Sequence, residues 1–148
     1  MTHHDRKLLE ASLRNDLASF TERAFQTVNP HTRFLPNWHH QAIAHHLELC
    51  RHGDINRLII TMPPRNGKSH CTSVSFTAFL LGHDPAARII NATYGHELTA
   101  DFARQFRILV NSPGTGRSFL PCVSRRTPRW NLLPVSGAIA LVPRSEEP

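Results

Sequence analysis

Apolar residues near the start of the chain recur at intervals of three and four. Leu9, Leu13, Leu17, Phe20 and Ala24 form one stripe, which predicts an amphipathic helix from Asp5 to Val28, stopped by Asn29-Pro30. The segment "HTRFLPNW" reads as a loop. Ile43, Leu47 and Cys50 then define a second stripe, predicting a helix over His39–His52 ended by Gly53. The pattern next shortens to a β-rich run, Arg57–Met62. It is followed by a stretch that is apolar on most sides (Val74, Phe76, Phe79, Leu80, Leu81), predicting a buried helix from about Gly67 to Leu81, ended by Gly82. "ARIINATYG" predicts a second strand centred on Ile89 and Ile90. A further helix is predicted over Glu97–Val110, with Leu98, Phe102, Phe106 and Leu109 facing inward. Strand, helix, strand, helix in this order implies a right-handed βαβ unit and a parallel sheet.

Beyond Ser112 the pattern stops. Residues 113–148 hold six of the eleven prolines and none of the eleven histidines, and apart from "GAIALV" they show neither helical nor alternating periodicity. No internal repeat is present. The chain therefore divides into an N-terminal helix and loop (1–36), an α/β core (37–112) and a tail (113–148) expected to be unstructured. A sheet reduced to two strands is expected to leave the apolar faces of the Gly67 and Glu97 helices exposed.

Charge adds little. The net charge of +6 would suggest a nucleic-acid partner, but five arginines against two glutamates place half of it in the tail. Cys50, Cys71 and Cys122 are scattered without a C-x-x-C pair, which argues against a disulfide framework or a zinc site and favours a reducing cytoplasm. No apolar run reaches the length of a membrane span, and "MTHHDRKLLEASLRND" lacks the apolar centre of a secretion signal. His39 and His46 lie two turns apart, about 10 Å along a helix, and His40 and His45 do not share a face. One ion cannot be held by these four.

The candidate chemistry lies in "RLIITMPPRNGKS". Gly67, Lys68 and Ser69 match the end of the phosphate-loop pattern G-x-x-x-x-G-K-S/T, with Met62 in place of the leading glycine. Such a loop presents backbone N–H groups and a helix N-terminus to an anion, with the lysine reaching the β and γ phosphates and Ser69 placed to hold magnesium. Three residues at a helix start recur by chance, so the placement after an apolar run and before a buried helix carries the weight. Pro63 and Pro64 remove two donors, so phosphate-facing amides must begin at Arg65.

The loop, together with "FTAFLLGHDPAARIINATYGHELTADFARQFRILV", resembles the ATPase domain of the large terminase subunit of tailed bacteriophages over about residues 5–112. That resemblance implies a partial P-loop NTPase core of the RecA/ASCE type with N-terminal helices and a disordered tail. It further implies ATP and magnesium as cofactors, and phosphate binding by Arg65, Asn66, Gly67, Lys68 and Ser69. Arg65 becomes a candidate γ-phosphate sensor, or else a solvated loop cation, and Trp38, His39 and Gln41 fall where the family has its adenine-side segment. Trp38 reads equally well as a packing residue at a helix start. Tyr94 and Gly95 match a family turn, although a tyrosine at a strand end is commonly packing. The implied setting is the bacterial cytoplasm, with a prophage origin. Double-stranded viral DNA, a portal and a small terminase subunit are the implied partners, and homo-oligomerisation is expected only of the intact family protein.

Two expectations limit this reading. Hydrolysis in the class needs an apolar strand ending in acidic residues, and "GAIALVPRSEEP" separates its run from Glu146 by Pro143 and Arg144. The family's nuclease domain is also missing from the sequence, which makes a non-catalytic nucleotide-binding remnant, or an unrelated helicase-like P-loop NTPase, the alternative. Reading new codons from the third base of each codon and the first two of the next, Pro113–Leu120 can encode Trp-Tyr-Arg-Ala-Leu-Phe-Pro, and Gly137–Pro148 can encode Gly-Tyr-Arg-x-Ser-Thr-Ser-Val-Gly-Gly-Thr. Both strings resemble what terminases carry after this point, so a frameshift near Ser112 is expected to have truncated the protein.

Overall fold

The computed structural model describes residues 3–112, 131–135 and 138–142, and they are predominantly helical. In chain order the elements are α1 (His3–Asn15), α2 (Leu17–Val28), α3 (Trp38–His52), a π-helical segment (His70–Phe76) running directly into α4 (Thr77–His83), β1 (Ile89–Ala92), α5 (His96–Asn111), β2 (Asn131–Val135) and β3 (Ala138–Val142).

The single N-terminal stripe is carried by two helices. Asp16 adopts an extended conformation (φ −136°), and its carboxylate accepts from the Ser19 amide at 2.8 Å and the Ala18 amide at 3.4 Å. An aspartate at this position competes for the backbone and opens a new helix, which apolar spacing alone does not register. Leu13 and Leu17 remain on one buried face across the break. The α3 boundaries match expectation, with Gly53 closing the helix in the left-handed region (φ 88°), where glycine carries no Cβ penalty. Gly82 lies inside α4 and does not end it; Asp84 is the C-cap.

Arg57–Met62 forms no strand, so the expected βαβ unit and parallel sheet are not built. The segment still alternates. Leu58, Ile60 and Met62 pack against the core, while Ile59 is 90% exposed. A period of two records which side chains are inward but does not provide a neighbouring strand. β1 pairs instead with the tail, antiparallel to β3, in the strand order β1-β3-β2. The expectation of a wholly unstructured tail is thus corrected over these ten residues. Each run is only five residues long; Asn131–Val135 shows no clear alternation and Ala138–Val142 falls within the short run "GAIALV", yet both are long enough to pair. Pro134, which has no N–H, sits on the edge strand β2, where proline is tolerated best in a sheet.

The helices behind the candidate loop are covered. α2 contacts α1, α3, the π segment and α5, and the core formed around it includes Leu17, Phe20, Ala24, Ile43, Leu47, Val74, Phe79, Phe102, Phe106 and Leu109. Phe20 meets Phe79 edge to face, with ring centroids 5.5 Å apart. The N-terminal helices bury the faces expected to remain open, Val74 and Phe79 reaching 0% exposure. No helix among the described residues is long and apolar enough to cross a membrane.

Candidate phosphate loop

Pro63 to Ser69 turn from the extended segment into the helical stretch that begins at Lys68. Two residues in this turn have positive φ, Arg65 (66°) and Gly67 (74°). Glycine adopts that region freely. Arginine does so under strain of roughly 1–3 kcal/mol, the kind of backbone outlier that concentrates at ligand-binding turns. The Asn66 side-chain amide donates to the Pro63 carbonyl at 3.2 Å, closing the turn on itself. Helical bonding starts where Cys71 N–H meets the Gly67 carbonyl at 3.0 Å.

Lys68 Nζ donates to the Met62 carbonyl at 2.8 Å. This contact accounts for the methionine in the leading position of the motif. Met62 contributes a main-chain oxygen, which any residue supplies, and it is not among the positive-φ positions that would require glycine. The Lys68 carbonyl in turn accepts from Thr72 Oγ1 at 2.9 Å. Arg65 and Ser69 are exposed, whereas Asn66 and Lys68 are half-buried. The five predicted phosphate-binding residues are therefore brought together in one turn.

The three adenine-side candidates are not. Trp38 is 76% exposed, with its ring meeting His39 edge to face at 6.1 Å. Gln41 points away, lining a cavity of about 390 Å³ with Asn15, Asp16, Ala18, Ala44, His45 and Glu48. The His39 ring lies tilted against that of His40 with centroids 4.0 Å apart, and its buried Nε2 has no hydrogen-bond partner. Tyr94 is 98% exposed. No group of three or more His, Cys, Asp or Glu among the described residues is arranged to hold a metal ion.

Two histidines outside the motif, His40 and His70, border the loop. His40 sits in step with Ile43 and Leu47 on the inward face of α3, a spacing visible in the sequence. Its Nδ1 accepts from the Asn37 amide at 3.2 Å, completing a capping box, and a Cβ on Gly67 would lie 3.1 Å from its Nε2. Burial pushes its pKa below the ordinary value, and the charge of His39 adds to this, while the Asn66 backbone facing the ring opposes both. His70 follows Ser69 directly. It is buried against Phe25, ring centroids 5.3 Å apart, and its Nδ1 lies 3.4 Å from Gln105 Oε1. Burial lowers its pKa as well, against the raising effect of the Gln105 contact. The neighbouring Cys71 thiol, also buried, is pushed up to about 11 and stays protonated at neutral pH.

Compared with models of protein families, with curated proteins and with solved structures, the chain matches none.

Proposed function

We propose that Pro63–Ser69 is an ATP-binding phosphate loop of the terminase large-subunit type, taking ATP with magnesium. Lys68 reaches the β and γ phosphates, Ser69 holds the metal, and the amides from Arg65 onward face the anion. The observation that carries the reading is the turn itself: two positive-φ residues deliver Lys68 and Ser69 to the start of a buried helix, with Lys68 already facing the loop's own backbone. The lineage rests on "PPRNGKS" and "LLGHDP" in their sequence positions, and viral DNA, portal and small subunit are proposed partners of an intact protein of that type. Residues 1–148 are proposed to bind ATP weakly and not to turn it over by themselves, since hydrolysis in this class needs an apolar strand ending in carboxylates that position metal and water, and these residues offer none.

Titration of the full chain with ATP and magnesium is the test. Lys68→Ala is expected to weaken binding by about tenfold to a hundredfold, the range for losing one charge-assisted contact. An unchanged affinity would show that the loop is not a phosphate site. Magnesium-dependent turnover that persists through stringent purification, and is lost in Lys68→Ala, would overturn the non-catalytic part of the reading.

A further inference from the structure

The phosphate loop is braced from outside by the first turn of α3. Asn37 caps this helix: its side chain accepts from the Trp38 amide at 2.7 Å, and its own amide donates to His40 Nδ1 at 3.2 Å. The third helical residue of a capping box is ordinarily Glu or Gln, whose side chain ends at the cap. Histidine has a second nitrogen on the far side of its ring. Because Nδ1 accepts from Asn37, the neutral ring carries its proton on Nε2, which is therefore a donor.

That Nε2 lies against the loop. It would stand 3.1 Å from a Cβ on Gly67, tighter than most side-chain contacts, and with Gly67 at φ 74° a larger residue there would be strained and would press the ring back by a few tenths of an ångström. The Asn66 backbone faces the same ring. Phe34 and His39 pack on the imidazole with centroids 4.8 and 4.0 Å away, which limits its rotation. A single side chain thus joins the α3 cap to the two loop residues immediately before Lys68.

We propose that His40 is a positioning residue for the phosphate loop: its Nδ1 is fixed by the α3 cap and its Nε2–H holds the Asn66–Gly67 backbone in its positive-φ turn before nucleotide arrives. The inference rests on the reading of Pro63–Ser69 as a phosphate loop for its purpose, though not for its geometry.

Three variants of the full chain separate capping from bracing. His40→Gln supplies both an acceptor for Asn37 and a donor for the loop. His40→Glu supplies only the acceptor, and His40→Ala supplies neither. The ligand-free readout is the rate of tryptic cleavage after Arg65 under native conditions, which reports opening of the loop. His40→Glu is expected to be cut about tenfold faster than the parent chain while keeping its thermal transition, since the cap survives. His40→Gln should be cut at close to the parent rate, and His40→Ala should be cut fast and melt earlier. Cleavage of His40→Glu at the parent rate, or of His40→Gln at the His40→Ala rate, would overturn the proposal. Proteolysis requires no nucleotide. If Lys68→Ala leaves ATP affinity unchanged while this series behaves as expected, the ATP reading falls and the brace stands; the reverse result removes the brace alone.

Discussion

His70 stands one position past Ser69, with its ring edge on Phe25 and its Nε2 buried and unpartnered. In the fold its neutral form is favoured, whereas the unfolded chain titrates near the ordinary 6.5. Below that value the unfolded state takes up a proton that the folded state refuses until its own, lower pKa is reached. The His70 contribution to stability is therefore constant above about pH 6.5 and falls as the pH drops through the interval beneath it. His40, shifted in the same direction, adds to the effect. Urea unfolding at about pH 7.5 and pH 5.5 should show the loss, and His70→Gln, which does not titrate there, should lose less. An equal loss in both chains would place the acid sensitivity elsewhere. At this scale the candidate loop was legible in the sequence but the contacts that support its backbone were not. Gly67, Lys68 and Ser69 are recognisable by residue type, whereas Met62 acts through a carbonyl and His40 through a ring nitrogen reaching across 26 residues of chain.

Helices were legible in proportion to their caps. The α3 helix is bounded by Asn37 and Gly53, and α5 carries its stripe of Phe102, Phe106 and Leu109 within one residue of the expected limits. The N-terminal stripe reads as a single helix because Leu9 to Ala24 keeps its phase through Asp16, and only local hydrogen bonding distinguishes a cap from a surface aspartate. Asp16→Ala should destabilise the chain by about 1 kcal/mol in urea unfolding, with Asp16→Asn recovering most of that loss. A gain in stability on Asp16→Ala would mean that α1 and α2 fuse at no penalty. Strands were less legible. Arg57–Met62 has β-forming residues and the correct alternation but no neighbour, because pairing is decided by chain elsewhere and not by the segment itself. Asn131–Val135 and Ala138–Val142 show the converse: weak patterns that found one another and β1.

For the molecule as a whole, the described core is drawn from Leu13 to Leu109, with α2 at its centre. A chain ending at Ser112 should therefore keep the cooperative melt of the full protein. A fall of many degrees in the transition would instead show that β2 and β3 are part of the stabilising body. Behind the candidate loop, the buried positions are His70, Cys71, Val74, Ser75, Thr77, Ala78, Phe79 and Leu81. An α-helix repeats every 3.6 residues; the i→i+5 bonding of His70–Phe76 winds more residues into each turn, so the side chains on either side of this segment are set at a different rotation from the one an unbroken α-helix would give. That segment works as a vernier between the loop and the core. Shifting it by one residue toward α geometry would rotate Lys68 and Ser69 by roughly 100° while Ala78 and Phe79 stayed seated. The direction in which the loop faces is thus set by how the helix behind it is wound, independently of the residues that the loop itself contains.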